Sequence, residues 1–195
     1  MNSPKLFFST PIKGKKVLTY FIISSTVYAL MLFVTIPKLI HFSNGMKILD
    51  MMPFGYSYQY VTQLFTDLGV DGRNFYLSYQ IPIDMIYPFL LGLSNYYIIV
   101  YFLQKIDQWK TPFLYLSLLP FFGALFDYFE NIGTIVMLNN FPNLNPVAVQ
   151  INSFFTISKS FFISISFIAL IVILVIFSIK KVSKNRFFTD FFDQL

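Results

Sequence analysis

The run FLYLSLLPFFGALFDYFENIGTIVML, residues 113–138, decides how this chain is read. It is long and apolar enough to cross a hydrocarbon core of roughly 30 Å, which takes about 20 helical residues. Yet it carries Asp127, Glu130 and Asn131 in the middle of FDYFENIGT. Three further stretches share its length and apolar character, at about residues 17–36, 83–103 and 154–179. The sequence therefore predicts an all-α membrane protein, a four-helix transmembrane bundle forming a single domain over residues 1–195.

Composition points the same way. The chain is 56% hydrophobic and 21% aromatic but only 12% charged, and its mean hydropathy is +0.64. That balance is far from the soluble norm. Cysteine is absent, which excludes thiol–disulfide chemistry, cysteine metal sites and disulfide staples. The only histidine, His41, falls just past the first span and offers no partner for a histidine metal site or a Ser–His pair. No metal and no cofactor is implied.

The net charge of +5 would suit nucleic acid if it were gathered on one soluble face, but its placement is topological. Lys5, Lys13, Lys15 and Lys16 precede the first span, Lys105 and Lys110 separate the second from the third, and Lys180, Lys181, Lys184 and Arg186 follow the fourth. The other side carries Lys38, Lys47 and Arg73. This positive-inside pattern places both termini in the cytoplasm and makes the lipid bilayer, not nucleic acid, the basic residues' partner. The first span reads as a retained signal anchor, being too long and lacking a small-residue cleavage site. The bias toward Phe, Ile, Asn, Lys and Tyr favours a bacterial inner membrane.

Residues 37–81 form the one sizeable outer loop. Within it SYQYVTQLFTDL has apolar positions at helical spacing, Ser57 as N-cap and Gly69 as C-terminal glycine, predicting a short interfacial helix. Asp71 reads as a second N-cap. Pro82 and Pro88 predict a kinked start to the second span, with a freed carbonyl that must meet protein or water. The tail, residues 180–195, places Phe187, Phe188, Phe191 and Phe192 at helical spacing among basic residues and reads as an amphipathic anchor.

With alternating span directions, Asp84, Asp127, Glu130 and Lys159 all fall in the outer half of the bilayer. Gly123, Asp127, Glu130 or Asn131, and Thr134 form one helical stripe. Asp84, Pro88, Leu91 and Asn95 form another, and Thr156, Ser160 and Ser164 a third. A charged side chain at mid-membrane costs about 2.5–3.5 kcal/mol, so these stripes face one another and line a shared site. Arg73 and Tyr87 sit at its rim, and Tyr76, Tyr79, Tyr87 and Tyr128 offer cation–π faces.

Three carboxylates against Lys159, with Arg73 above, leave an anionic balance that either a shared proton or a bound cation restores. Three functions follow as expectations. The first is binding or transport of a cation, a proton or a cationic amphiphile. The second is a structural or accessory subunit whose polar network fixes helix register within a membrane complex or homo-oligomer. The third is an enzyme acting on a lipidic ligand with Asp127 or Glu130 as general acid/base.

Overall fold

A computed structural model describes residues 11–192, with side chains through Ser183. All its long elements are helices: α1 at Gly14–Phe42, α2 at Tyr58–Asp67, α3 at Gly69–Lys105, α4 at Pro112–Asn140 and α5 at Pro146–Phe192. α1, α3, α4 and α5 are the four helices long and apolar enough to cross a membrane. Among the described residues there is no strand. α5 stays helical to Phe192, but the side chains of Lys184, Arg186, Phe187, Phe188, Phe191 and Phe192, like Lys5, lie outside the described residues.

The four long helices alternate in direction. The Ile12 amide donates to Gln104 Oε1 at 2.9 Å, and the Lys16 ammonium lies 4.3 Å from the Tyr97 ring centre, so α1 begins beside the end of α3. Lys180 Nζ donates to the Ile106 carbonyl at 2.9 Å, bringing a late turn of α5 to the same basic end. α4 and α5 pack along one another most extensively, α3 packs on α4, and α1 lies chiefly against α3. Glycines set the closest approaches. A Cβ on Gly123 would stand 2.8 Å from Ile163 Cγ1, and one on Gly133 would run into the Asn152 side chain.

Two prolines widen their helices in the same way. Thr35-Ile36-Pro37 and Gln80-Ile81-Pro82 each begin on the last residue of a π turn, Met31–Thr35 in α1 and Tyr76–Gln80 in α3. A proline ring crowds the carbonyl four residues back and donates no amide, so bonding shifts to five residues back. The Ile36 amide reaches Met31 O and the Ile81 amide reaches Tyr76 O. The two wide turns face each other, and the Thr35 hydroxyl donates to Gln80 Oε1 between buried side chains. The expected kink at Pro88 is also present, as a break at Met85–Ile86.

The first loop departs from its sequence reading. α2 forms as expected, with Ser57 Oγ accepting from the Tyr60 amide at 3.1 Å and Gly69 at φ +62° beyond its end. But α3 opens at Gly69, twelve residues before the predicted loop boundary at 81, and Asp71 lies inside its first turn, where it caps nothing. Leu68, which precedes Gly69, is already helical, so the chain turns at Gly69 without leaving helix for long enough to need a side-chain cap. Val61, Leu64 and Phe65 of α2 are fully buried against Leu39, Ile48, Leu49 and Leu144, so α2 and the loop segment form a packed layer over the bundle end.

Gly133→Val puts branched carbons where α4 meets Asn152. Overpacking of this kind costs about 1–3 kcal/mol, so the variant melts several degrees below the parent in detergent, measured by circular dichroism. Ile132→Val, on the exposed side of α4, melts with the parent.

Candidate functional site

Helical phase carries the polar residues of α4 inward. Gly123, Asp127, Glu130, Asn131 and Thr134 are all buried, as their spacing predicts. α5 is rotated from expectation. Its buried polar positions are Asn152, Ser153, Thr156, Lys159 and Ser166, while Ser160 is half-buried and Ser164 exposed. A strict four-residue repeat drifts by about 40° per step around a helix of 3.6 residues per turn, so Ser164 has left the face that Thr156 occupies. The burial of Lys159 sets the phase.

Lys159 Nζ is the centre of the site. It lies 3.0 Å from Asp50 Oδ1 and 3.1 Å from Asp127 Oδ1, and it also pairs with Glu130 Oε2. One ammonium thus meets three carboxylates, donating to Asp50 and Asp127. The second Glu130 oxygen accepts from the Thr156 hydroxyl at 2.7 Å. Asn152 Nδ2 donates to Tyr56 Oη at 2.8 Å and to Thr134 Oγ1 at 3.1 Å, extending the network to the loop. Burial, and then the Glu130 charge, hold the Tyr56 phenol above its ordinary range, so it stays protonated in this network.

Asp84 completes the cluster from α3. One carboxylate oxygen from each of Asp50, Asp84 and Asp127 lies within 4.8 Å of the other two. Asp84 is 3% exposed, and its Oδ2 is buried with no hydrogen-bond partner. Its backbone is better provided for. Pro88 has no amide to offer the Asp84 carbonyl four residues back, and Asn131 Nδ2 donates to that carbonyl at 3.3 Å. The freed carbonyl foreseen from Pro88 is therefore met by a polar side chain of α4.

Asp50 is the residue that sequence reasoning missed. It sits on a 3-10 turn, Leu49–Met51, in the first loop, 77 positions before Asp127. Two fully buried neighbours, Ile48 and Leu49, bed that turn into the core. The loop is tied down again where the Tyr56 amide donates to Ser153 Oγ at 2.9 Å, beside Gly55 at φ +82°, a backbone conformation that suits glycine. A local signal was present, because Asp50 is a lone carboxylate inside the apolar run ILDMMPF. No helical periodicity linked it to the spans.

Other candidates fall outside the ion cluster. Arg73 does not reach Asp84: its Nη1 donates to the Phe65 carbonyl at 2.6 Å and its guanidinium stacks on Phe141, 4.6 Å from the ring centre. The opening of α3 at Gly69 places Arg73 against the end of α2, which decides this. Tyr87 stacks on Tyr28 at 5.4 Å and Tyr79 on Phe75 at 4.9 Å. Of the four tyrosines, Tyr76 addresses the cluster, and it does so through its hydroxyl, 3.4 Å from Asp50 Oδ2.

Four carboxylates, Asp50, Asp84, Asp127 and Glu130, therefore surround one ammonium, and four minus one leaves three uncompensated negative charges when all are ionised. Among the described residues the only ion pairs are the three made by Lys159. Compared with known proteins, the chain matches no family model, no curated protein and no solved structure.

Removing one partner of a buried ion pair leaves an uncompensated charge and costs about 3–5 kcal/mol. Lys159→Met accordingly unfolds far more readily than the parent in detergent. Adding Glu130→Gln to Lys159→Met restores part of the loss, because it removes one of the repelling carboxylates. A double-mutant cycle from chemical denaturation reads the coupling directly.

Proposed function

We propose that this membrane protein binds, and exchanges with the aqueous phase, a proton or a small inorganic cation at the cluster formed by Asp50, Asp84, Asp127, Glu130 and Lys159. The charge excess carries the reading. Three uncompensated negative charges in a low-dielectric interior demand a positive partner, and a site that demands one selects for it. The side chains close directly on one another, which favours a small ion over a cationic amphiphile.

The ion enters from the loop end. Of the three aspartates, Asp50 alone has a partly exposed side chain, 15%, against 4% for Asp127, with Asp84 3% exposed as a residue. Lys13, Lys15 and Lys16 stand with Lys105, Lys110 and Lys180 at the opposite end, which supports cytoplasmic termini and a site open to the outer face. A bacterial inner membrane fits this arrangement.

One observation favours a second reading, a structural or accessory subunit. The Lys159 ammonium is saturated by three carboxylates, as in a network that fixes helix register. Stable co-purification with one membrane partner in gentle detergent is its expected signature.

Reconstituted vesicles test the primary reading. Wild-type protein dissipates an imposed proton, sodium or calcium gradient, followed by an entrapped dye sensitive to that ion. The folded Asp127→Asn/Glu130→Gln variant does so at least tenfold more slowly. Equal rates for parent and variant would sink the proposal.

A further inference from the structure

We infer that Asp50, Asp84 and Asp127 form a binding site for a calcium-sized divalent cation, an inference that rests on the cation-site reading above and names its ion class. Three independent features converge on it. The first is geometric. Atoms within 4.8 Å of one another share a point no more than about 2.8 Å from all three, a bound that admits the 2.3–2.6 Å of calcium–oxygen bonds.

The second is the unmet oxygen. Asp84 Oδ2 is buried without a hydrogen-bond partner in a residue only 3% exposed, and Asp84 forms no ion pair, whereas Asp127, Asp50 and Glu130 each pair with Lys159. A buried acceptor left unmade is costly, more so when charged. Lys159 pairs with the other three carboxylates and not with Asp84, so a cation from outside the chain fits the place beside it. A cation at the shared point contacts Asp84 together with the Asp50 and Asp127 carboxylates.

The third is donor chemistry and charge. The donors are all oxygen, which suits calcium or manganese and not the nitrogen- and sulfur-seeking metals. One divalent ion lowers the excess from three negative charges to one, where a sodium ion leaves two. Magnesium dehydrates reluctantly and keeps several waters, so the buried carboxylates of Asp84 and Asp127 suit calcium better. Because Asp50 is a ligand, occupancy also ties the first loop to the bundle. The loop holds its carboxylate in place through Ile48 and Leu49, and the ion adds a bond between that loop, α3 and α4.

The test uses the full chain, purified in detergent and stripped with a chelator. Manganese serves as the probe, because its electron paramagnetic resonance signal falls as free ion binds. The expected result is one saturable manganese site per chain, displaced by calcium and not by equal magnesium. Asp84→Asn weakens it at least tenfold. Asp67→Asn, at an acid that pairs with Gln63 on α2, leaves it unchanged.

Thermal melting gives a second readout that survives a weak signal. Calcium raises the melting temperature of the parent by several degrees, while Asp84→Asn melts at or above the chelated parent and ignores calcium. Absence of a saturable manganese site, or an Asp84→Asn variant that binds like the parent, overturns the inference. If manganese does not bind but proton flux still depends on Asp127 and Glu130, the divalent site is wrong and the cation reading stands. If neither binding nor flux is seen, both fall and the structural reading takes their place.

Discussion

One ammonium group organises the polar interior of this protein. Lys159 is 7% exposed and pairs with carboxylates from the first loop and from two positions on α4. Each of these ions loses several kcal/mol of hydration on burial, and only mutual attraction at close range offsets that. At an effective dielectric near 20, two unit charges at 4 Å attract by about 4 kcal/mol, so all three contacts are needed to make the lysine tolerable. α5 therefore cannot slide or rotate against α4 without stranding a charge. The glycines opposite Ile163 and Asn152 let the two backbones come close enough for the contacts to form.

The prolines serve the same site from α3. Pro88 frees the Asp84 carbonyl, and Asn131, the residue after Glu130, reaches across to bind it. The π turn that ends at Gln80 rephases α3 by one residue just before Asp84, and its twin in α1 meets it through Thr35. Irregular backbone at this depth is sustainable because side chains of neighbouring helices take up the groups it leaves. The break in α3 and the burial of Asp84 are thus two results of one local chemistry.

The first loop has a larger part than its length suggests. Its 3-10 turn supplies a fourth carboxylate, its Tyr56 joins the network of Asn152 and Thr156, and α2 closes the end with Val61, Leu64 and Phe65. Asp50 raises the excess of carboxylates over the lysine from two to three. An ion-binding role depends on that excess, whereas a purely structural network would be better served by equal numbers of each charge.

Sequence by itself determined the four long apolar helices, the inward stripe of α4, the Ser57 cap and the distortion around Pro82 and Pro88. Each rests on local physics: hydrocarbon thickness, helical period, and an amide that proline does not have. It also brought Asp84, Asp127, Glu130 and Lys159 to one depth, because alternating helix directions convert sequence position into height. Tertiary structure alone decided that Asp50 enters the cluster, that Arg73 turns away to Phe65 and Phe141, and that Ser164 faces outward while Lys159 faces in. A loop residue has no period to announce its direction, and Asp50 reaches Lys159 because Ile48 and Leu49 find their place in a core assembled from distant parts of the chain.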